Sequence, residues 1–228
     1  MSAIQTPTTT TPPSAPTAPA APKPTASAGV ILEGVSWETY VRLRDEADTR
    51  KRFTYAHGKL EIMPTSVFHE IIATLIDRFI YEWAFSRRIR ISTTRTTTFQ
   101  REDIEHGFEA DLSYYIQHAA QMQGRREIDL PEDPPPDLAV EVDHTSSSLP
   151  KRPIYAAMGV PEMWRWHEET LTVYHLQDGE YQEQPQSERL PEFPLDQLRQ
   201  ALLQRETVDE ITLLAQFRQW LSEHFPSN

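Results

Sequence analysis

The longest hydrophobic pattern in the chain has the spacing of a helix. Between residues 68 and 86, apolar side chains recur every three or four residues, and these are Ile71, Ile72, Leu75, Ile76, Phe79, Ile80 and Trp83. Residues at this spacing fall on one side of a helix. The segment is therefore predicted to pack one long apolar stripe against a sheet.

Three shorter helices are predicted from local signals. Ser36 is placed to cap a helix in SWETYVRLRDE, and a second helix is expected from Lys151, or one residue earlier, to residue 158. Near the C-terminus, Thr207 and Glu210 match a capping box in front of the amphipathic segment 211–225. We expect this segment to form the last helix.

Alternating apolar and polar residues predict the strands. The segment 53–63 alternates around His57 and Gly58, as in a hairpin, and a second hairpin is predicted to turn at Asp178 and Gly179. The segment 89–99 is rich in β-branched residues, which favour strands. A strand is also predicted at 162–167.

Two further predicted strands, 107–116 and 137–142, carry carboxylates among aliphatic residues. Successive side chains of a strand point to opposite faces, so Asp111 lies opposite the face of the aliphatic residues on the first strand. On the second strand Glu141 lies opposite the face of its aliphatic residues in the same way. If the two strands pair, Asp111 and Glu141 can converge on one divalent cation.

The order of these elements indicates the fold class. The segment 117–136 ends in EDPPP, which is compatible only with a connection. The central order is then helix, three strands, helix and strand, which predicts an α/β fold with a mixed central sheet flanked by helices. Additional hairpins are expected near both ends.

Composition divides the chain near residue 29. Residues 1–28 contain seven Pro, seven Thr and seven Ala without an aromatic residue, so we expect a disordered tail. Residues 29–228 are long enough for a single domain with its own core. No segment has the length of apolar residues that a membrane span needs, and no membrane association is expected.

Charge and cysteine content exclude some functions. The chain has no cysteine, which excludes disulfides, thiolate nucleophiles and cysteine-bound zinc, and a cytoplasmic protein is expected. A net charge of −12 argues against a protein that coats nucleic acid permanently. A local strip of five arginines interrupts this acidity, and it fits either transient phosphate contacts or a solvated strand face. They are Arg87, Arg88, Arg90, Arg95 and Arg101.

Several long segments carry a resemblance to a known family. They are GKLEIMPTSVFHE (58–70), REDIEHGFEADLSYYI (101–116), the segment 124–166 with its DLAVEV strand, and the hairpin LTVYHLQDGEY. With acidic residues on two central strands, the chain resembles the PD-(D/E)xK nuclease superfamily. Within it, residues 34 to about 225 look like the Uma-type endonucleases. The resemblance implies a restriction-endonuclease-like core.

The resemblance also implies a site. Asp111 matches the aspartate of the first half-motif and Glu141 the acid of the second, and together they would bind Mg²⁺ or Mn²⁺. The superfamily pattern asks for lysine two residues after Glu141, where this chain has Asp143. In the Uma-type family the lysine is taken to come from the following helix, four residues before a tyrosine. Lys151, four residues before Tyr155, fits that place.

Three other residues are candidate supporting groups. Asp143 is a candidate further ligand, either direct or through water. His69 occupies a family-like position at the start of the core helix, and it or Glu61 either borders the metal site or makes a cap or core-edge hydrogen bond. His69 begins HEIIA, but the second histidine of a zinc-protease motif is absent at Ala73, so that chemistry is rejected.

Two function classes follow. The first is a Mg²⁺-dependent DNA endonuclease that acts through Asp111, Glu141 and Lys151, with no organic cofactor. Cutting both strands requires two sites, so a homodimer is expected. The second is a catalytically drifted module on the same fold that binds nucleic acid or protein, and it is suggested by Asp143, by the overall acidity and by Ala110 in place of the motif proline.

Overall fold

The structure, a computed structural model, describes residues 29–47, 51–130, 132–143 and 149–226. The described helices are α1 (Trp37–Glu46), α2 (Val67–Arg87), α3 (Lys151–Ala157), α4 (Leu195–Gln204) and α5 (Glu210–His224). The described strands are β1 (Val30–Glu33), β2 (Lys51–Ala56), β3 (Lys59–Pro64), β4 (Ser92–Thr93), β5 (Thr98–Arg101), β6 (His106–Glu109), β7 (Leu112–Tyr115), β8 (Leu138–Asp143), β9 (Glu162–His167), β10 (Thr170–Gln177) and β11 (Glu180–Gln184). The predicted tail, 1–28, lies outside the described residues.

The strands form two sheets, which we call the first and the second sheet. The first has five strands in the order β1-β3-β2-β6-β5, and all its pairs are antiparallel. The second has six strands in the order β11-β10-β9-β8-β7-β4, and its β8 and β9 run parallel. The predicted α/β class with a mixed sheet is confirmed, and the N-terminal hairpin belongs to a separate antiparallel sheet.

The predicted strand 107–116 is two strands in two sheets. β6 ends at Glu109 in the first sheet and β7 begins at Leu112 in the second, so Ala110 and Asp111 form the crossing between them. The prediction of one continuous strand was wrong, because alternation of side chains is the same whether a strand continues or changes sheets. Asp111 consequently stands directly before the first residue of β7.

The predicted strand 89–99 is divided in the same way. Only Ser92–Thr93 and Thr98–Arg101 are strands, and they belong to different sheets. Between them a turn is closed by the bond from the backbone N–H of Thr97 to the carbonyl of Thr94, at 3.0 Å. β-branched residues therefore indicated extended backbone correctly but not its pairing.

Both predicted hairpins are present. β2 and β3 pair up to Ala56 and Lys59, and the intervening His57 and Gly58 have φ of 45° and 80°. Two consecutive positive φ values define the turn whose twist matches that of paired strands. The hairpin of β10 and β11 turns at Asp178 and Gly179 in the same way.

All four predicted helices are present, as α1, α2, α3 and α5. Ser66 caps α2 and Ser36 caps α1, each by accepting from a backbone N–H in the first turn. The predicted capping box was wrong, since Asp209 caps α5 and the Thr207 hydroxyl instead donates to the carbonyl of Gln204. The pattern also missed α4, which packs beside α2.

The two faces of the second sheet are covered by different elements. Helix α2 places its apolar stripe on the face that carries Leu112, Val140 and Val142. The opposite face carries Ala139 and Tyr115, and it packs with α3 and with Phe108 of the first sheet. Helix α3 therefore lies where the two sheets approach each other. Of the helices in the described residues, none combines the length and apolar character required to cross a membrane.

Candidate active site

Asp111, directly before β7, and Glu141, on β8, lie on the same face of the second sheet. β7 and β8 are antiparallel, with Leu112 opposite Val140, and extending this register by one residue places Asp111 opposite Glu141. The backbone N–H of Val142 donates to Asp111 Oδ2 at 2.7 Å and fixes this carboxylate against β8. The face opposite α2, predicted for both carboxylates, is the one they occupy.

Helix α3 supplies two donors to Glu141. The Lys151 ammonium donates to Glu141 Oε2 at 2.5 Å, and the Tyr155 hydroxyl donates to Oε1. These residues are one helical turn apart, so they project from the same side of α3. Lys151 thus points at the carboxylates, as predicted, and Tyr155 is a site residue that sequence reasoning used only as a marker for the lysine.

The charges around Glu141 are strongly coupled. Its side chain is 3% exposed, and burial is the main reason that its pKa rises to about 7. Lys151 opposes this rise, whereas the carboxylates of Asp111 and Asp143 add to it. Burial also works against the charge of Lys151, but the three carboxylates outweigh it and raise the pKa of the ammonium. Lys151 therefore remains charged at neutral pH.

A cleft opens beside these residues. Its volume is about 680 Å³, and it lies between α3 and the turn of the hairpin formed by β10 and β11. The charged side chains that line it are Glu141, Asp143, Lys151, Arg152, Arg165 and Glu180. Three are basic and three are acidic, and Asp111 adds a fourth carboxylate next to Glu141. A divalent cation bound there would make the site net positive, which suits a phosphate ligand.

The family of the chain follows from a comparison with family models. The model of Uma2, whose description is "Putative restriction endonuclease", matches residues 37–207, well over half of the chain. The chain belongs to the Uma2 family. The resemblance inferred from the sequence is confirmed.

Two further comparisons were made. A solved crystal structure, "a putative nuclease belonging to DUF820" from Anabaena variabilis, is similar over 66% of this chain and 90% of that chain. The identity is 17% and the TM-score is 0.49. No curated protein matches.

The acidic residues of this Uma2 chain fit a Mg²⁺ site with few protein ligands. In the part of the chain that the structure describes, no group of three or more His, Asp or Glu side chains could hold a metal ion. Mg²⁺, however, commonly takes one or two carboxylates and keeps several waters. Asp111 and Glu141, on one face beside an open cleft, meet this lesser requirement.

The three supporting candidates are placed differently. Asp143 accepts from Arg165 Nε at 2.6 Å, so its carboxylate is held by a cation. Glu61 is buried in the first sheet and accepts from the backbone N–H of Leu149 at 3.4 Å, and Leu149 lines the cleft. His69 meets the Ser66 hydroxyl through Nδ1 at 2.8 Å, at the start of α2. Glu61 therefore contacts a residue of the cleft lining without lining the cleft itself, and His69 takes part in a helix cap.

The arginine strip gives little support for a phosphate-binding surface. Arg87 lies over the rings of Trp83 and Phe225, in the cluster on the α2 face of the second sheet, away from Glu141. Three of its members meet carboxylates at 2.5 to 3.8 Å, and the pairs are Arg87 with Glu192, Arg95 with Asp77 and Arg101 with Asp103. Local sequence could not show these partners, because most of them are distant in the chain.

Proposed function

We propose that this Uma2 protein is a metal-dependent endonuclease that hydrolyses phosphodiester bonds of DNA. The observation that carries the proposal is the convergence of Asp111, Glu141 and Lys151, of which Glu141 and Lys151 line an open cleft. Membership of the Uma2 family supports the same class of reaction. Such a protein needs no organic cofactor, and a cytoplasmic location stays a prediction.

Each of the three residues has a defined part in this proposal. Asp111 and Glu141 would hold Mg²⁺ or Mn²⁺, which when bound polarises a phosphoryl oxygen and lowers the pKa of a coordinated water. Lys151 places a positive charge beside Glu141, where it can stabilise negative charge that develops on the phosphate. Tyr155 and the Val142 N–H hold the two carboxylates in fixed orientations.

A drifted module is the second candidate function, and the environment of Glu141 favours it. Lys151 and Tyr155 engage one oxygen each of this carboxylate, so a metal must compete with or share these contacts. Asp143 pairs with Arg165 at the position where the motif asks for lysine. A protein that binds nucleic acid or another protein without cleavage would have the same contacts.

Cleavage of supercoiled plasmid DNA separates the two candidates. The wild-type protein is expected to nick or linearise plasmid in Mg²⁺ or Mn²⁺ and to stop in EDTA, while Ca²⁺ supports binding without cleavage. Asp111→Asn and Glu141→Gln, which preserve shape, should abolish cleavage and keep the far-UV circular dichroism spectrum. Binding of a duplex without cleavage in any of these metals would favour the drifted module.

Two active sites are needed to cut both strands of a duplex, so we propose a homodimer as the acting form. Light scattering of the purified protein with a duplex in Ca²⁺ measures its mass directly. A single protein chain on each duplex, together with nicking but no linearisation of plasmid, would contradict the dimer and leave the endonuclease proposal intact.

A further inference from the structure

Arg165 is a second basic residue at the site, and it comes from the strand next to Glu141. β8 and β9 run parallel, and their register places Arg165 directly beside Glu141. Neighbouring strands are about 4.8 Å apart, so the backbone of Arg165 lies at about that distance from the backbone of Glu141. Both residues line the cleft.

The Arg165 guanidinium is held in place by Asp143. Its Nε donates to Asp143 Oδ2 at 2.6 Å, and both side chains are partly buried, at 32% and 11% exposure. A guanidinium has five N–H donors, so one bond through Nε orients the group without exhausting it. Asp143 therefore leaves Arg165 with donors for a ligand in the cleft.

Tyr174 contacts two of the basic residues that line the cleft, Arg152 and Arg165. The guanidinium of Arg152 lies 5.2 Å from the centre of its ring, and Tyr174 also interacts with Arg165. Arg152, Arg165 and Lys151 thus line one space. Of these, Lys151 pairs with Glu141. Arg165 is oriented by the carboxylate of Asp143, which lies on the neighbouring strand β8.

We propose that Arg165 is a phosphate-positioning residue and that Asp143 orients it. Arg165 binds the phosphate of the DNA strand that is adjacent to the phosphodiester group being cleaved. The pair lies at the position two residues after Glu141 where the motif has lysine, while Lys151 supplies the motif's lysine from α3. A guanidinium matches phosphate with two parallel hydrogen bonds, which a lysine cannot reproduce. This inference rests on the proposed endonuclease function.

The test compares wild type with Arg165→Ala, Arg165→Lys and the charge-balanced double variant Asp143→Ala/Arg165→Ala. Dissociation constants for a short DNA duplex are measured in Ca²⁺ at several salt concentrations, and kcat and KM are measured in Mg²⁺. Arg199→Ala is the control, because Arg199 is exposed on α4 and its Nε contacts only the carbonyl of Glu169 at 3.4 Å among the bonds described.

Loss of one charge-assisted contact should raise Kd and KM by roughly tenfold or more, with kcat nearly unchanged. The slope of log Kd against log salt concentration should decrease by the contribution of about one phosphate contact. Loss of a residue with only a structural role would leave this slope unchanged. Arg165→Lys should restore the salt slope but only part of the affinity. The double variant should have the same Kd as Arg165→Ala, and its melting temperature should be closer to that of wild type.

Two outcomes would overturn the role of Arg165 alone, and two others would contradict the endonuclease proposal. If wild type cuts DNA and Arg165→Ala keeps its Kd, KM and salt slope, Arg165 serves only to neutralise Asp143. A fall in kcat with unchanged Kd would place its effect on Glu141 rather than on phosphate. If wild type binds without cutting, the endonuclease proposal fails, and the Kd and salt slope still decide the role of Arg165. If wild type neither binds nor cuts, both fail.

Discussion

Lys151 and Glu141 form a close ion pair at the end of the cleft, with 2.5 Å between Nζ and Oε2. The pair is nearly enclosed, and Asp111 and Asp143 add negative charge around it. The positive charge of Lys151 therefore balances carboxylates that would otherwise repel one another.

Lys151→Ala should reduce cleavage in Mg²⁺ by roughly 10²- to 10³-fold, the usual effect of removing one donor that stabilises charge in a transition state. Single-turnover cleavage of a labelled duplex measures the loss. Lys59→Ala is the control, because Lys59 is exposed, pairs with Glu33 at 3.2 Å in the first sheet and does not line the cleft. Wild-type rates in Lys151→Ala would remove this residue from the mechanism.

Tyr155→Phe should destabilise the metal-free protein because it removes a buried donor from Glu141. Hydrogen bonds to charged groups contribute about 1.5–3 kcal/mol, so the free energy of unfolding in urea should fall by that amount. Tyr181→Phe removes a bond of 2.6 Å to the neutral carbonyl of Val160 and should cost about 0.5–1.5 kcal/mol. Equal losses in the two variants would contradict the charged character of the contact.

Gly107→Ala should destabilise the first sheet. A Cβ at this position would lie 2.8 Å from Cζ of Tyr40 and closer still to its hydroxyl. The Tyr40 ring cannot easily yield, since it is fully buried and stacks on Tyr55 with 4.7 Å between centroids. Overpacking of this kind costs about 1–3 kcal/mol.

Thermal unfolding measures the effect of Gly107→Ala, and the double variant with Tyr40→Phe serves as its control. Removing the hydroxyl takes away the nearest atom, so the double variant should recover part of the lost stability. If the two substitutions destabilise additively, the contact between positions 40 and 107 does not cause the loss.

Asp209, the N-cap of α5, should make the stability of the protein depend on pH. The hydroxyl and the backbone N–H of Thr212 donate to this cap, the hydroxyl being the larger cause, and they lower its pKa. A carboxyl whose pKa is lowered by folding stabilises the protein above its unfolded pKa of about 3.9, and this stability disappears as pH falls through the folded pKa.

Asp209→Ala should therefore lower the melting temperature at neutral pH, and the difference from wild type should shrink as the solution is acidified below about pH 4. Asp209→Asn, which keeps a capping oxygen but does not titrate, should retain most of the stability at neutral pH and show no such change. A difference between wild type and Asp209→Ala that is independent of pH would contradict the role of the charge.

Local patterns predicted the elements whose geometry is decided by neighbours in sequence. The turn at His57 and Gly58 is an example, because a two-residue hairpin requires positive φ at both positions. The place of Lys151 was expected from the family resemblance, which puts the lysine on the helix after the strand of Glu141. The shared face of Asp111 and Glu141 followed from strand alternation.

The remaining features depend on register between distant strands. Arg165 stands beside Glu141 only because β9 pairs with β8 in one particular register, which its own hydrophobic pattern does not specify. The change of sheets at Ala110 depends on which strands compete for pairing. A sequence pattern that repeats every two residues carries no information about either choice.

The connection 117–136 separates the two carboxylates in the chain. Its described residues contain no helix or strand, and Asp111 lies before it while Glu141 and Lys151 lie after it. A break in the chain within this connection would leave one carboxylate of the pair on each fragment. Under the proposed endonuclease function, such fragments would regain a complete site only on reassembly, and DNA cleavage would then report the association of two partners fused to them.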